Sequence, residues 1–308
     1  MKKNTLLAGL ALALSASSLT AGGDGWMTDF EAAKKKAAAE NKALLVDFTG
    51  SDWCGWCIKL VDEVFKHDEF KKGIADKFVL VELDFPRDKS KLSEATQKQN
   101  AELQKKYGVR GFPTILLLDG KGLPFAKTGY QAGGPASYLK HLDGLLENKT
   151  KRDEALASAN KLNGVAKAKA LVAALDAIPE DYHSQYSDLI AQVAKLDPKD
   201  ETGFVAKQKT KAARKELETS VRTAMRGGNA DEAIAKIDAF ITEHKLEGEA
   251  KQELLAMKIN PMLMSKNVEG AEKAIDEAIA AAPESKMGQN IKKFKETRFP
   301  KIKEQMSK

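Results

Sequence analysis

The chain has 308 residues, which is long enough for two domains with apolar cores. Hydrophobic residues make up 43% and charged residues 31%, a balance that is typical of a soluble globular protein and excludes a disordered one. Two cysteines are too few for a disulfide-stapled scaffold, and a net charge of +6 is no argument for a nucleic-acid partner.

The first 23 residues have the pattern of a secretory signal peptide. Lys2 and Lys3 form a positive n-region, and the apolar stretch 6–16 is too short to span a bilayer core of about 30 Å. Small residues follow, from Ser15 to Gly23. We therefore predict a cleaved signal peptide over residues 1–23 and a periplasmic or secreted protein with no stable membrane anchor. An uncleaved anchor is the alternative.

Strands and helices alternate through residues 24–148. A capping sequence at 28–31 predicts a first helix, and apolar runs predict buried strands. The predicted strands are 43–49, 78–84, 114–118 and 124–128, and further helices are predicted near 54–64, 68–76, 93–107 and 138–146. The turn at 119–122 predicts a hairpin between the last two strands. This order predicts a three-layer α/β domain that ends near residue 148.

Helical periodicity replaces strand-like runs over residues 149–308. Helices are predicted at 165–177, 182–196, 201–225, 230–243, 249–264 and 271–281, with a terminal one beyond. Asn229 and Ile237 recur 38 residues later as Asn267 and Ile275, a spacing close to that of stacked helix pairs. We predict an all-α domain that resembles tetratricopeptide repeats in layout only, since their signature residues are absent. A plain helical bundle is the alternative.

Both cysteines lie in one motif, Trp53-Cys54-Gly55-Trp56-Cys57, between a predicted strand and a predicted helix. A spacing of three on a helix places both sulfurs on one face. Unpaired N–H groups at the helix start favour the thiolate of Cys54, while Cys57 lies one turn inward. We predict Cys54 as the nucleophile and Cys57 as the resolving cysteine. Trp53 and Trp56 are predicted to form an apolar rim for an unfolded client, and Gly55 is predicted to belong to the same substrate-binding site.

A second motif, Gly111-Phe112-Pro113-Thr114, precedes the third predicted strand. Proline is tolerated at the start of a strand, because its missing N–H need not join the ladder. A cis Phe112–Pro113 bond would turn the chain sharply beside the cysteines. We predict that Phe112 and Thr114 contact an extended substrate and that Pro113 denies metal access to the thiolates. Half a zinc site and a structural disulfide are the alternatives for the cysteine pair.

Four sequence features together resemble the thioredoxin superfamily. They are Val46-Asp47-Phe48, the cysteine motif, Asp84 at a strand end and the Gly111–Thr114 motif. The segment Ser-Asp-Trp-Cys-Gly-Trp-Cys is similar to that of exported bacterial thioredoxin-like proteins, and the resemblance covers residues 26–148. It implies an α/β/α thioredoxin fold with a mixed sheet.

The resemblance also implies residue roles. Cys54 would be the nucleophile, Cys57 the resolving cysteine and Pro113 a cis-proline. Asp47 would be the buried carboxylate that helps to deprotonate the inner cysteine, with a simple buried polar partner as the alternative. The dithiol would need no metal and no cofactor beyond its own disulfide.

These observations predict an exported thiol–disulfide oxidoreductase, most simply a protein disulfide reductase in cell redox homeostasis. The alternatives are a disulfide oxidase or isomerase, and a non-catalytic scaffold that binds a partner through its helical domain. Predicted partners are exported protein thiols and disulfides and an unidentified electron donor or acceptor, with no nucleic acid. The direction of electron flow depends on the reduction potential of the pair relative to its compartment.

Overall fold

Five strands form one mixed sheet within the described part of the chain. The computed structural model describes residue 23 and residues 25–306. The strands are β1 (Trp26–Met27), β2 (Ala43–Thr49), β3 (Phe78–Asp84), β4 (Thr114–Leu118) and β5 (Pro124–Thr128). Their spatial order is β1-β3-β2-β4-β5, in which β4 runs antiparallel to β2 and β5, and the other pairs are parallel. The predicted thioredoxin fold is confirmed.

Five α-helices and a π-helical turn flank this sheet, and a short 3₁₀ turn (Lys89–Lys91) precedes the fourth helix. The flanking segments are α1 (Phe30–Glu40), α2 (Gly55–Leu60), the π-helical turn (Val61–Phe65), α3 (Asp68–Ile74), α4 (Glu94–Lys106) and α5 (Gly134–Ala159). Helix α1 begins one residue later than the capping pattern predicts, because the Asp29 carboxylate, not the Thr28 hydroxyl, accepts the Ala32 N–H at 2.9 Å. The Ser93 hydroxyl caps α4 by accepting the Thr96 N–H at 3.1 Å.

Apolar side chains cover both faces of the sheet. Successive residues of β2 point to opposite faces, so that Val46 and Phe48 pack against Phe30 of α1 and Leu103 of α4. The other face carries a cluster of rings from the π-helical turn, α3 and α5. Burying each such side chain stabilises the fold by about 1.5–3 kcal/mol. This second face lies under the helix that bears the cysteines.

Helix α5 is much longer than the helix predicted at 138–146. It is followed by α6 (Gly164–Asp176), a 3₁₀ segment (Glu180–Tyr186) and α7 (Ser187–Leu196). Tyr182 joins the core cluster of the sheet, and the Gln185 amide donates to the Lys106 carbonyl at 2.9 Å. The contacts divide the chain into two compact units, one ending at Thr202 and one beginning at Gly203. The domain boundary predicted after residue 148 stays a prediction.

The second unit is helical throughout its described residues. Its helices are α8 (Phe204–Arg226), α9 (Ala230–Glu243), α10 (Gly248–Met264), α11 (Val268–Ala281), α12 (Lys286–Thr297) and α13 (Phe299–Met306). The turns before α9 and α11 are alike. Asn229 and Asn267 cap these helices, and the residue before each has a positive φ, 74° at Gly228 and 57° at Lys266. This likeness supports the 38-residue repeat, which stays a prediction.

The predicted signal peptide lies outside the described residues, apart from Gly23. Among the helices that the structure describes, none combines the length and the apolar character needed to cross a membrane.

Candidate active site

The two cysteines form a disulfide at the amino end of α2. Their Cα atoms are 5.2 Å apart. Cys54 is the N-cap residue, and its Sγ accepts the backbone N–H of Cys57 at 3.2 Å. Cys54 is 6% exposed, whereas Cys57 is 1% exposed. The outer sulfur therefore accepts a helix N–H, which would stabilise a thiolate, and is the more exposed of the two.

The segment that leads into α2 is tied to the carboxyl end of β3. The Ser51 N–H and hydroxyl both donate to the Asp84 carboxylate, at 2.9 and 2.6 Å. The Asp52 carboxylate accepts the Arg87 N–H at 2.9 Å and pairs with Lys91 at 3.0 Å. The Ser-Asp-Trp part of the motif thus fixes the position of the first cysteine. Sequence reasoning missed Ser51 and Asp52 as positioning residues.

Trp53, which directly precedes Cys54, forms an aromatic cluster with Phe85 and Phe112. The Trp53 indole N–H donates to the Phe85 carbonyl at 2.7 Å, and the Trp53 and Phe112 rings are 5.8 Å apart. Gly50 is required here, because a Cβ would lie 2.5 Å from the indole. Trp53 remains 40% exposed. Two of the predicted substrate contacts, Trp53 and Phe112, are thus brought together.

A second aromatic group includes Trp56, the residue before Cys57, and we call it the Trp56 wall. It consists of Trp56, Lys59, Glu63 and Tyr130. The Trp56 and Tyr130 rings are 5.1 Å apart, and the Lys59 Nζ lies 5.2 and 5.1 Å from their centroids. The Tyr130 hydroxyl donates to the Glu63 carboxylate at 2.5 Å. Tyr130 was not predicted because it lies far from the cysteines in sequence, and Lys59 and Glu63 were not predicted because nothing in the sequence indicates that they contact Tyr130.

Three other predicted site residues, Pro113, Thr114 and Gly55, lie in different environments. The Phe112–Pro113 bond is cis. A Cβ on Gly129 would lie 3.1 Å from the Pro113 carbonyl oxygen, so the end of β5 passes close to this proline. Thr114 is buried and its hydroxyl donates to the Gly111 carbonyl at 2.8 Å, which stabilises the turn. Gly55 is exposed, and a Cβ there would meet nothing within 4 Å.

Asp47 is 2% exposed and lies on β2, opposite Glu82 of β3. Its Oδ1 atom is buried without a hydrogen-bond partner. Burial, and then the negative charges of Glu82 and Asp84, raises the pKa of the Asp47 carboxyl well above its usual range. A buried acid that holds its proton to higher pH can exchange protons with a nearby thiol. The role of Asp47 toward Cys57 stays a prediction.

The raised pKa of Asp47 predicts a pH-dependent stability. The unfolded chain releases the Asp47 proton at a lower pH than the native chain, so this group's contribution falls as pH rises through the native pKa. When the pH is raised from about 4 to about 8, the free energy of unfolding should therefore fall less in Asp47→Asn than in the wild type. Urea unfolding at both pH values measures this, with exposed Asp76→Asn as the control. Parallel losses in the wild type and Asp47→Asn would contradict it.

Metal-binding groups are absent from the described part of the chain, where no three His, Cys, Asp or Glu side chains are arranged to hold an ion.

Comparison with known proteins finds a matching family and two similar relatives. A family of thioredoxin-like domains matches residues 30–144. The chain is 38% identical over 108 residues to the disulfide bond reductase DsbH of Chlamydia pneumoniae, covering 35% of this chain and 64% of that protein. It is 34% identical over 124 residues to the thioredoxin-related protein DsbJ of Chlamydia pneumoniae, covering 38% of this chain and 35% of that protein. The chain thus spans less than two thirds of either relative.

Among solved structures, one named DsbH oxidoreductase is similar to this chain. The sequences are 30% identical, the TM-score is 0.38, and the match covers 47% of this chain and 95% of the other.

Proposed function

The N-terminal part of this protein is a thioredoxin-like domain, and from this premise we propose that the protein is a thiol–disulfide oxidoreductase acting on protein clients. One observation carries the proposal: Cys54 and Cys57 are linked at the amino end of α2, with the more exposed sulfur at the N-cap. The relatives named disulfide bond reductase and thioredoxin-related protein support the same class of activity.

The proposed reaction begins with the reduced dithiol. The Cys54 thiolate attacks one sulfur of a client disulfide, and the other client sulfur leaves as a thiolate that takes up a proton. The Cys57 thiol then loses its proton, and the resulting thiolate attacks the Cys54 sulfur of the mixed disulfide. The second client sulfur leaves and is protonated, so that two electrons have passed to the client and the Cys54–Cys57 disulfide is formed. A dithiol donor then returns the pair to the reduced state.

We propose reduction of clients as the physiological direction. The name of the relative DsbH, a disulfide bond reductase, supports this direction. The two residues between the cysteines, Gly55 and Trp56, carry no positive charge. A positive charge there would stabilise the thiolate and make the pair more oxidising, so its absence favours reduction of clients. The signal-like residues 1–23 support action on exported proteins in the periplasm or outside the cell. Trp53, Trp56, Phe112 and Pro113 are the proposed client contacts, and Asp47 is the proposed proton partner of Cys57.

Trapping of mixed disulfides tests the activity. In Cys57→Ser the second attack is removed, so Cys54 should accumulate client proteins in disulfide linkage when the variant is expressed with its signal sequence. Non-reducing gels followed by mass spectrometry detect these adducts, and Cys54→Ser/Cys57→Ser is the matched control. If Cys57→Ser captures no more protein than this control, the protein is not a thiol–disulfide oxidoreductase, and a scaffold role is favoured.

The reduction potential tests the direction. Equilibration of the wild type with glutathione buffers should give a potential below about −200 mV, in the range of thioredoxin and the glutaredoxins. Alkylation of free thiols and mass measurement give the reduced fraction. A value near about −120 mV, which is typical of a strong oxidant, would reverse the assignment to an oxidase.

A further inference from the structure

Two acidic side chains are buried side by side in the sheet. Asp47 of β2 and Glu82 of β3 are register partners on neighbouring parallel strands, and they are 2% and 4% exposed. Register partners on adjacent strands point to the same face of a sheet, and such strands lie about 4.8 Å apart. Two carboxyl groups therefore lie next to each other with little access to solvent.

The two acids lie on the sheet face opposite to Val46 and Phe48. Side chains alternate along β2, so Asp47 points away from α1 and α4, against which Val46 and Phe48 pack. Burial, and then the charge of Asp47, raises the pKa of Tyr138 on α5 above its usual range, so this phenol carries no charge at neutral pH. On β4 the register partner of Asp47 is Ile115, which does not titrate.

The charges that act on Asp47 are both negative. They belong to Glu82 and to Asp84, which lies two residues further along β3 and accepts the Ser51 N–H and hydroxyl at 2.9 and 2.6 Å. The Asp47 Oδ1 atom has no hydrogen-bond partner among the described residues. Two neighbouring carboxylates in a buried site repel each other, so the pair releases its two protons in separate steps and holds one proton over the pH range between them.

A lone buried carboxyl group is a poor acceptor for the proton of Cys57. Burial raises the pKa of Asp47, so that alone it would keep its own proton at neutral pH and have no place for another. A pair that holds one proton differs, because one of its two carboxylates is always ionised. Uptake of a second proton makes the pair neutral, and burial favours the neutral form.

We propose that Glu82 shares one proton with Asp47, and that this acid pair takes up the proton that Cys57 releases in the resolving step. The inference rests on the proposed oxidoreductase function and gives Glu82 a role in it, as a residue that acts through Asp47. The Cys57 thiol passes its proton to the ionised member of the pair, and the thiolate attacks the Cys54 sulfur of the mixed disulfide. The Cys54–Cys57 disulfide forms, the client sulfur leaves as a thiolate that takes a proton from solvent, and the neutral pair then returns one proton to solvent.

A limiting amount of dithiobis(nitrobenzoate), an aromatic disulfide, separates the two attacks in the reduced full chain. Attack by Cys54 releases the first thionitrobenzoate at a rate that grows with protein concentration, and attack by Cys57 releases the second at a rate that does not. At neutral pH, Asp47→Asn and Glu82→Met should each slow the second release about 10-fold. The double variant should be no slower than either, because the two carboxyl groups act as one unit.

The first release distinguishes this role from a structural one. It should change by less than about twofold in all three variants, whereas a general disturbance of packing would slow both releases. Glu102→Met is the matched control, since Glu102 is exposed on α4, which packs on the other face of the sheet. An unchanged second release in Asp47→Asn or in Glu82→Met overturns the proposal. A double variant about 100-fold slower than the wild type overturns the single unit.

A titration of the reduced protein tests the shared proton directly. Nuclear magnetic resonance of protein with isotope-labelled Asp and Glu carboxyl carbons should show two signals, those of Asp47 and Glu82, that each change in the same two steps of pH. Asp47→Asn and Glu82→Met each remove one signal and leave the other with one step, and Glu82→Gln replaces Glu82→Met if that variant does not fold. A single independent step for each signal in the wild type overturns the shared proton.

The proposed function is decided separately. Trapping of clients by Cys57→Ser depends on the first attack alone, which involves neither carboxyl group. Trapped clients together with an unchanged second release in Glu82→Met overturn this inference and leave the oxidoreductase standing. Absence of trapped clients removes the proposed function, and with it the step that the acid pair would serve.

Discussion

Cys54→Ser is expected to reduce the rate of client disulfide reduction to that of uncatalysed exchange, a loss on the order of 10³-fold or more. A serine hydroxyl does not form the reactive anion at neutral pH, whereas the helix N–H groups at this N-cap favour the thiolate of Cys54. Insulin reduction by the variant in the presence of dithiothreitol measures the loss. Activity of the variant within about tenfold of the wild type would show that Cys57 can attack clients directly.

Alkylation provides the matching measurement on the reduced wild type. Cys54 should react with iodoacetamide faster than Cys57 at neutral pH, because it is the more exposed and the one placed at the helix N-terminus. Peptide mass spectrometry after brief labelling distinguishes the two. Faster labelling of Cys57 would reverse the assignment of nucleophile and resolving cysteine, whatever the activity of Cys54→Ser.

Buried strands were the most predictable part of the fold. The strands at 43–49, 78–84, 114–118 and 124–128 have the predicted bounds, because apolar runs ended by turn residues leave little choice of position. Strand β1 has two residues, which is too short for any pattern to show. Helix α5 continues to Ala159, beyond the end predicted for it, because nothing in its sequence near residue 148 ends a helix.

The candidate site was predictable where its residues belong to a short motif, as in the cysteine motif and the Gly111–Thr114 motif. The Cys-x-x-Cys spacing pointed to Cys54 and Cys57 without help from the fold. The Ser51–Asp84 pair joins residues 33 apart, and the Tyr130–Glu63 pair joins residues 67 apart. Contacts of this kind depend on which loops the sheet order brings together, and local periodicity carries no information about that order.

Arg152→Ala is expected to destabilise the first unit by about 3–5 kcal/mol, the cost of removing one partner from a buried ion pair. Arg152 is 3% exposed. Its guanidinium lies 3.0 Å from the Asp119 carboxylate, 2.7 Å from Asp153 and 2.8 Å from the Tyr186 hydroxyl, which in turn donates to the Pro124 carbonyl. The side chain therefore joins α5, the β4–β5 hairpin and the 3₁₀ segment.

Urea unfolding followed by tryptophan fluorescence measures this effect in the first unit, because all three tryptophans, at positions 26, 53 and 56, belong to it. Lys151→Ala, which removes an exposed ion pair with Glu147, is the control and should change stability by less than about 1 kcal/mol. The stability of Arg152→Lys should lie between those of the wild type and Arg152→Ala, because an ammonium keeps the charge but not the planar set of donors.

The result also bears on where the thioredoxin-like domain ends as a folding unit. Arg152 lies beyond the predicted boundary at residue 148, yet its partners Asp119 and Tyr186 lie on either side of it in the chain. If the tryptophan transition shifts with Arg152→Ala, the helices after residue 148 unfold together with the sheet that carries the cysteines. An unshifted tryptophan transition would mean that the sheet and α1–α4 are stable alone, and that the boundary predicted from composition describes the folding unit.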